Sequence, residues 1–123
     1  MIVGIGVDLV DVARFQRAAR RTPRLLDRLF AESEQRPEGR ELPLRSLAAR
    51  FAAKEALIKA IGDSTGVRWH DIRIVSNDLG NPFFELENRV ADIAAERGIT
   101  IFHLSMTHDA DLAIAYVIAE GAA

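Results

Sequence analysis

The chain has 123 residues, a formal net charge of −2, and 49% hydrophobic and 28% charged residues. A chain of this length holds one compact domain, residues 1–123, and this composition excludes a disordered or fibrous protein. It contains no cysteine, which excludes a disulfide framework and thiolate metal sites and favours a reducing, cytoplasmic location.

Residues 2–10 predict a β-strand, because apolar side chains alternate there with small or acidic ones. The apolar positions are Val3, Ile5, Val7 and Leu9. We expect this face to be dry, and the face with Gly4, Gly6 and Asp8 to admit a phosphate, a metal ion or a neighbouring chain. Asp8 is therefore a candidate site residue, although a bulge or a helix cap would explain the same pattern. The apolar run is too short to span a membrane.

Arginines are concentrated in residues 11–30, where Asp11 begins one predicted helix and Thr22-Pro23 begins a second. Five of them follow at steps of three and four residues: Arg14, Arg17, Arg21, Arg24 and Arg28. Nearly coaxial helices would place these five on one side. In an acidic chain, such clustering indicates a docking surface for an acidic partner, with ordinary solvated surface as the alternative. Nucleic acid is a weaker option, because no aromatic platform accompanies the basic residues.

A central helix is predicted around RFAAKEALIKAIG, residues 50–62, after a polar segment, residues 32–43, that we expect to be a mobile loop. At helical spacing Glu55 and Lys59 share a narrow face with alanines, while Lys54 projects into an apolar sector. A solvated Glu55–Lys59 pair would explain part of this pattern. The alanines favour the close approach of another element or a ligand.

The remaining residues predict two strand pairs around a helix. Strands at 72–75 and 83–86 flank a turn, and a helix with Val90, Ile93 and Ala94 on its buried face precedes strands at 99–107 and 112–119. Trp69 is expected to pack against the domain.

A file of polar side chains marks the first strand of the second pair, with His108 and Asp109 expected in the following turn. Ser105, Thr107 and His108 would suit phosphate oxygens, because hydroxyls and an imidazole on one edge can donate hydrogen bonds to them. A structural histidine is the alternative.

Four motifs in fixed order resemble the holo-acyl-carrier-protein synthase group of 4′-phosphopantetheinyl transferases: GIGVDLVDVARF, ARFAAKEALIKAIG, DLGNP and HLSMTHDADLAIAYVIAE. The resemblance implies an α+β fold with a small antiparallel sheet packed against a long central helix. It implies transfer of the phosphopantetheine arm of coenzyme A to a serine of apo acyl carrier protein, with release of adenosine 3′,5′-bisphosphate, in fatty acid biosynthesis. It also implies a homotrimer with active sites between protomers. Asn81 stands where relatives carry a basic residue, and residues 31–43 fit the family poorly.

The resemblance also implies roles for individual residues. Asp8 and Glu55 would bind Mg²⁺, which prefers oxygen ligands and bridges substrate phosphates. Coenzyme A would be bound by a larger set of residues: Arg50, Lys59, Gly62, Ser105, Thr107 and His108. Lys59 would hold a phosphate near the metal, and Arg50 the 3′-phosphate. The base that activates the carrier serine stays open between Glu55, a metal-bound hydroxide and His108.

Two other functions fit the same residues. One is a metal-dependent hydrolase of another diphosphate, and the other is a non-catalytic module that binds coenzyme A or an acidic helix.

Overall fold

The computed structural model describes all of residues 1–123, which form five strands and five helices. The strands are β1 (Ile2–Asp11), β2 (Ile72–Ser76), β3 (Pro82–Leu86), β4 (Ile99–Asp109) and β5 (Leu112–Gly121). The helices are α1 (Val12–Arg21), α2 (Leu25–Leu29), α3 (Glu32–Gln35), α4 (Leu44–Ile61) and α5 (Asn88–Glu96). Short 3-10 turns occupy Pro37–Gly39 and Trp69–Asp71. The predicted α+β class is confirmed.

The strands form two antiparallel sheets, a three-stranded sheet in the order β1-β5-β4 and the hairpin β2-β3. Asp8 of β1 lies opposite Ala115 of β5, which in turn lies opposite Met106 of β4. Pairing of β4 with β5 continues to His108 and Asp109, so these residues end the strand and do not form the turn. The predicted turn at His108 and Asp109 is therefore wrong, because the connection is only Ala110 and Asp111.

Helix α4 is the centre of the domain and packs against β1 and β5. It begins after Pro43, six residues before the stretch that marked it in the sequence, and ends at Gly62. Its fully buried positions include Ala52, Ala56 and Leu57. Alanines on the sheet side keep the helix axis close to the strands, so the backbones of helix and sheet nearly touch.

The two faces of β1 are used in the opposite way to that expected. A Cβ on Gly4 would lie 1.9 Å from the carbonyl oxygen of Ala60, and one on Gly6 would lie 1.8 Å from that of Ala56. The glycine face is therefore the buried one, pressed against α4. The apolar side chains that we expected to be dry are exposed, by 54% for Ile5, 44% for Val7 and 56% for Leu9.

The segment predicted as a mobile loop is held by buried contacts. It contains α3, in which Glu34 and Gln35 are both buried. The side-chain amide of Gln35 donates to Asp27 Oδ1 at 3.0 Å and to the carbonyl oxygen of Phe30 at 3.2 Å. The prediction failed because the partners of these polar side chains lie elsewhere in the sequence.

Several local predictions are confirmed. The side chain of Asp11 caps α1 by accepting a hydrogen bond from the Arg14 amide at 3.0 Å. Helix α5 buries Val90, Ile93 and Ala94 as expected. The Trp69 ring packs on Phe51, with ring centroids 5.6 Å apart. None of the helices has the length and apolar character that crossing a membrane requires.

The β1 contact with α4 predicts the effect of Gly6→Ala. The added methyl group would overlap the Ala56 carbonyl oxygen, and backbone atoms cannot move aside as a flexible side chain does. We expect the free energy of unfolding to fall by roughly 3 kcal/mol, measured by urea denaturation at fixed protein concentration.

Gly39→Ala is the matched control, because nothing lies within 4 Å of a Cβ there and only its φ of +81° opposes the change. That control should cost about 1 kcal/mol. Equal losses for the two variants would contradict the close packing of β1 on α4.

Candidate active site

Asp8, Glu55 and Lys59 meet where β1 crosses α4. Asp8 lies two residues after Gly6 and therefore on the same face of β1, the face that packs against α4. The Lys59 ammonium donates to Asp8 Oδ1 at 3.1 Å and to the carbonyl oxygen of Val7 at 3.0 Å. Lys59 thus pairs across to the strand, and its side chain stays 55% exposed. The isolated Glu55–Lys59 surface pair is not what the structure contains.

The Glu55 carboxyl has a raised pKa. Burial against the sheet is the largest cause, the negative charge of Asp8 adds to it, and the positive charge of Lys59 opposes it. Two carboxylates therefore face each other with one ammonium to offset their repulsion. Such a pair is a natural site for a cation or a proton.

The two carboxylates open into a cleft of about 470 Å³, which we call the Asp8 cleft. Its charged groups come from Asp8, Asp11, Arg14 and Glu55, and the rest of its wall is apolar. Phe15, Phe51 and Trp69 form a continuous aromatic row along it, with centroid separations of 5.8 and 5.6 Å. A charged group of side chains thus shares this cleft with an apolar wall.

The five arginines singled out in the sequence are all exposed, and none is engaged in an ion pair. Arg14 lines the Asp8 cleft itself. Arg28 lies at a separate cavity of about 390 Å³ with Arg68 and His70, on the other side of Trp69. Of the five, only Arg14 therefore lies at the Asp8 cleft, and Arg28 lies at a neighbouring cavity that shares Trp69 with it.

Arg50 does not join the carboxylates. It is half-buried and lines a second cleft of about 660 Å³, the Arg50 cleft, together with Glu34, Arg40, Ile74 and Asn77 among others. Burial lowers the pKa of its guanidinium, and the negative charge of Glu34 opposes that shift. On α4, Arg50 points away from Glu55, so one chain presents two separate clefts.

The other predicted coenzyme A ligands are distributed over the surface. Gly62 follows the last turn of α4, one turn beyond Lys59. Ser105 and Thr107 are exposed on the outer face of β4, whereas the alternation of the strand sends His108 toward the helix side. The expectation that these three side chains share one edge is corrected by this alternation. None of them lines the Asp8 cleft.

No cluster of three or more histidine, cysteine or carboxylate side chains suitable for a metal ion occurs in the chain. Asp8 and Glu55 offer two carboxylates, which suits an ion that keeps most of its ligands as water or substrate oxygens. The residues fit Mg²⁺ in this respect, because a cation between Asp8 and Glu55 would offset the repulsion of their negative charges.

The sequence did not predict one buried ion pair. Lys54 Nζ lies 2.9 Å from Glu34 Oε1, and both side chains are almost completely buried. The position of Lys54 in an apolar sector of the central helix did indicate that this lysine was unusual. Nothing near Glu34 in the sequence marked it as the partner, because the pair joins residues 20 apart across the fold.

Comparison with known proteins agrees with this geometry. A model of the 4′-phosphopantetheinyl transferase superfamily matches residues 4–117. The holo-acyl-carrier-protein synthase of Leifsonia xyli subsp. xyli is 61% identical over 120 residues, and the match covers 98% of each chain.

Two solved structures have the same fold. The crystal structure of holo-acyl-carrier-protein synthase from Neisseria meningitidis superposes with a TM-score of 0.85 at 35% identity, covering 98% of this chain and 99% of that chain. A synthase–coenzyme A complex from Chronobacterium ammoniagenes superposes with a TM-score of 0.84 at 27% identity, covering 98% of both chains. The chain therefore belongs to the 4′-phosphopantetheinyl transferase superfamily and is an enzyme of that class.

Proposed function

We propose that the chain transfers the 4′-phosphopantetheine arm of coenzyme A to a serine of an apo acyl carrier protein and releases adenosine 3′,5′-bisphosphate. The observation that carries this proposal is the Asp8–Glu55 carboxylate pair with Lys59 beside it, in a cleft that Arg14 also lines. The names of the relatives and the coenzyme A complex of one of them support it. The cysteine-free chain suits the cytoplasmic location that we include in the proposal.

Mg²⁺ would be held by Asp8 and Glu55. When bound, it would neutralise charge on the pyrophosphate of coenzyme A. The fit rests on the two carboxylates that line the Asp8 cleft. The pKa of Glu55 is raised mainly by burial, and the negative charge of Asp8 adds to that shift.

Two side chains, Glu55 and Lys59, carry the chemistry in this proposal. The serine oxygen of the carrier attacks the β-phosphorus of the pyrophosphate, a new oxygen–phosphorus bond forms, and the bond to the 3′,5′-bisphosphate leaving group breaks. Glu55 accepts the serine proton, because its carboxylate lines the Asp8 cleft and, unlike that of Asp8, is not paired with Lys59. Lys59 is exposed enough to turn from Asp8 to a phosphate oxygen and to stabilise its developing charge. His108 is a weaker candidate for the base, because it does not line the Asp8 cleft.

Coenzyme A would extend beyond the Asp8 cleft. We assign its 3′-phosphate to Arg50, whose half-buried guanidinium opens into a cleft large enough for a nucleotide. The remaining candidate contacts for coenzyme A are Gly62, Ser105, Thr107 and His108. Within one chain, Ser105 and Thr107 lie on the face of the sheet that is turned away from Glu55. They would therefore contact coenzyme A in a site formed together with another copy of the chain.

The outer face of the three-stranded sheet is the proposed contact between copies. It exposes a set of large apolar side chains: Ile5, Val7, Leu9, Ile101 and Tyr116. Monomeric proteins rarely leave such a continuous apolar face in water. We propose that it packs in a homotrimer whose active sites lie between protomers.

Intact-mass analysis tests the reaction. We expect an apo acyl carrier protein to gain one phosphopantetheine group when it is incubated with the enzyme, coenzyme A and Mg²⁺. Asp8→Asn and Glu55→Gln should each lower the rate by a factor of about a hundred to a thousand, because each removes a charge that acts in the transition state. Chelation of divalent ions should stop the reaction.

Asp92→Asn is the matched control, because it removes the same charge from an exposed position on α5 that lines neither cleft, and it should leave turnover unchanged. Normal turnover by Asp8→Asn or Glu55→Gln at saturating Mg²⁺ would refute the metal assignment. Cleavage of coenzyme A without a carrier would indicate a hydrolase, and stabilisation without turnover would indicate a binding module.

The trimer is tested by Val7→Lys, which places a charge in the middle of the outer sheet face. We expect sedimentation to show a trimer for the unchanged protein and monomers for the variant, with loss of transfer activity. Asp92→Lys, an exposed position on α5, should leave both unchanged. A monomeric unchanged protein would contradict the proposal.

The docking surface is tested by charge reversal of Arg14 and Arg21. Rim charges act mainly on the encounter rate, so the double change to glutamate should raise the KM for the carrier and flatten its dependence on ionic strength. The KM for coenzyme A should stay the same.

Arg45→Glu provides the control, because Arg45 is equally exposed but lies at the start of α4, outside the arginine series. If both Michaelis constants rise together, or if neither changes, the arginines are ordinary solvated surface.

A further inference from the structure

Lys54 is completely buried, although its neighbour Glu55 reaches the active-site cleft. Its ammonium has three N–H groups and three acceptors: the carbonyl oxygen of Leu29 at 2.6 Å, Glu34 Oε1 at 2.9 Å and the carbonyl oxygen of Trp69 at 3.0 Å. The Phe30 ring covers it, with the centroid 4.9 Å from Nζ. Every donor of the buried ammonium is therefore used.

Two of these acceptors belong to the walls of the Asp8 cleft. Leu29 ends α2, Trp69 begins a 3-10 turn, and the side chains of both residues line the cleft with Glu55. The Lys54 ammonium consequently ties both walls to the helix that carries Glu55.

The third acceptor reaches the other cleft. Glu34 Oε1 also accepts a hydrogen bond from the Ala31 amide at 3.0 Å, and Glu34 Oε2 accepts one from the Ile74 amide at 3.2 Å. Glu34 and Ile74 both line the Arg50 cleft. The Lys54–Glu34 pair thus lies between the two clefts and is bonded to a wall of each.

A buried ion pair contributes little net stability compared with apolar side chains of similar volume, so stability alone gives no reason for these charges. Directional bonds to two backbone carbonyl groups are something that an apolar side chain could not supply. The pair is therefore better explained by fixing the position of the cleft walls than by stabilising the fold.

We propose that Lys54 is a positioning residue, which holds the Leu29 and Trp69 walls at a fixed distance from Glu55 so that the carrier serine reaches the carboxylates. This inference rests on the proposed function, in which the carrier enters the Asp8 cleft. Lys54 touches neither substrate, and it acts through the two carbonyl oxygens that it binds.

Trp69 is the only tryptophan in the chain, so its fluorescence reports directly on one of these walls. In Lys54→Met, Glu34 keeps its two backbone donors, but both wall contacts are lost. We expect the native protein to show red-shifted Trp69 emission and easier quenching by acrylamide. We also expect kcat/KM for the carrier to fall by roughly a hundredfold, as a displacement of about 1 Å can produce. The KM for coenzyme A should stay near its original value.

Lys54→Met leaves a buried carboxylate without its ammonium and could unfold for that reason. The double variant Lys54→Met/Glu34→Gln removes both charges, and it should show the same emission shift and the same loss of kcat/KM for the carrier. Val90→Ala is the stability control, because Val90 is fully buried but lines neither cleft. It should lower the melting temperature without changing emission or kinetics.

Unchanged emission in the folded variants would overturn the proposal, and so would altered emission with unchanged carrier kinetics. Failure of the proposed function gives a different result, because the unchanged protein would then modify no carrier. The fluorescence measurement would still decide whether Lys54 holds the Trp69 wall.

Discussion

The close contact between β1 and α4 is the constraint from which the active site follows. Gly4 and Gly6 have no side chains, so the strand backbone lies against the carbonyl oxygens of Ala56 and Ala60. This approach brings Asp8, the next residue on the same face, within 3.1 Å of the Lys59 ammonium. Burial raises the pKa of Glu55, and the nearby negative charge of Asp8 raises it further. A larger residue at either glycine would push the strand outward and separate the two carboxylates.

The same contact explains why the other face of the sheet is free. With α4 covering the glycine side, the branched and aromatic side chains of β1, β4 and β5 point outward, and nothing within the chain covers them. The carboxylates lie on the inner side of the sheet and Ser105 and Thr107 on the outer side. A site that used both sets would need two copies of the chain, which is the physical basis for the proposed trimer.

The charged side chains on the α4 side of the sheet form two groups, one at the surface and one buried. At the surface Lys59 only partly balances Asp8 and Glu55, which leaves a place for further positive charge. Below it, Lys54 and Glu34 balance each other with every hydrogen bond satisfied. An incompletely paired group suits binding and proton transfer, whereas a completely paired one suits the rigid support of two clefts.

The sequence by itself predicted most of the elements and singled out the residues of the candidate site. Alternation in β1 and helical spacing in α4 are local signals, and they pointed to Asp8, Glu55 and Lys59 as candidates. Only the tertiary structure decided which face of β1 is buried. The alternation predicted that the apolar face is the core face, whereas in the fold the glycine face packs against α4. The separation of Arg50 from Glu55, the alternate faces of Thr107 and His108, and the pairing of Lys54 with Glu34 were likewise decided by the fold. Each depends on the relative placement of distant segments, which local pattern does not encode.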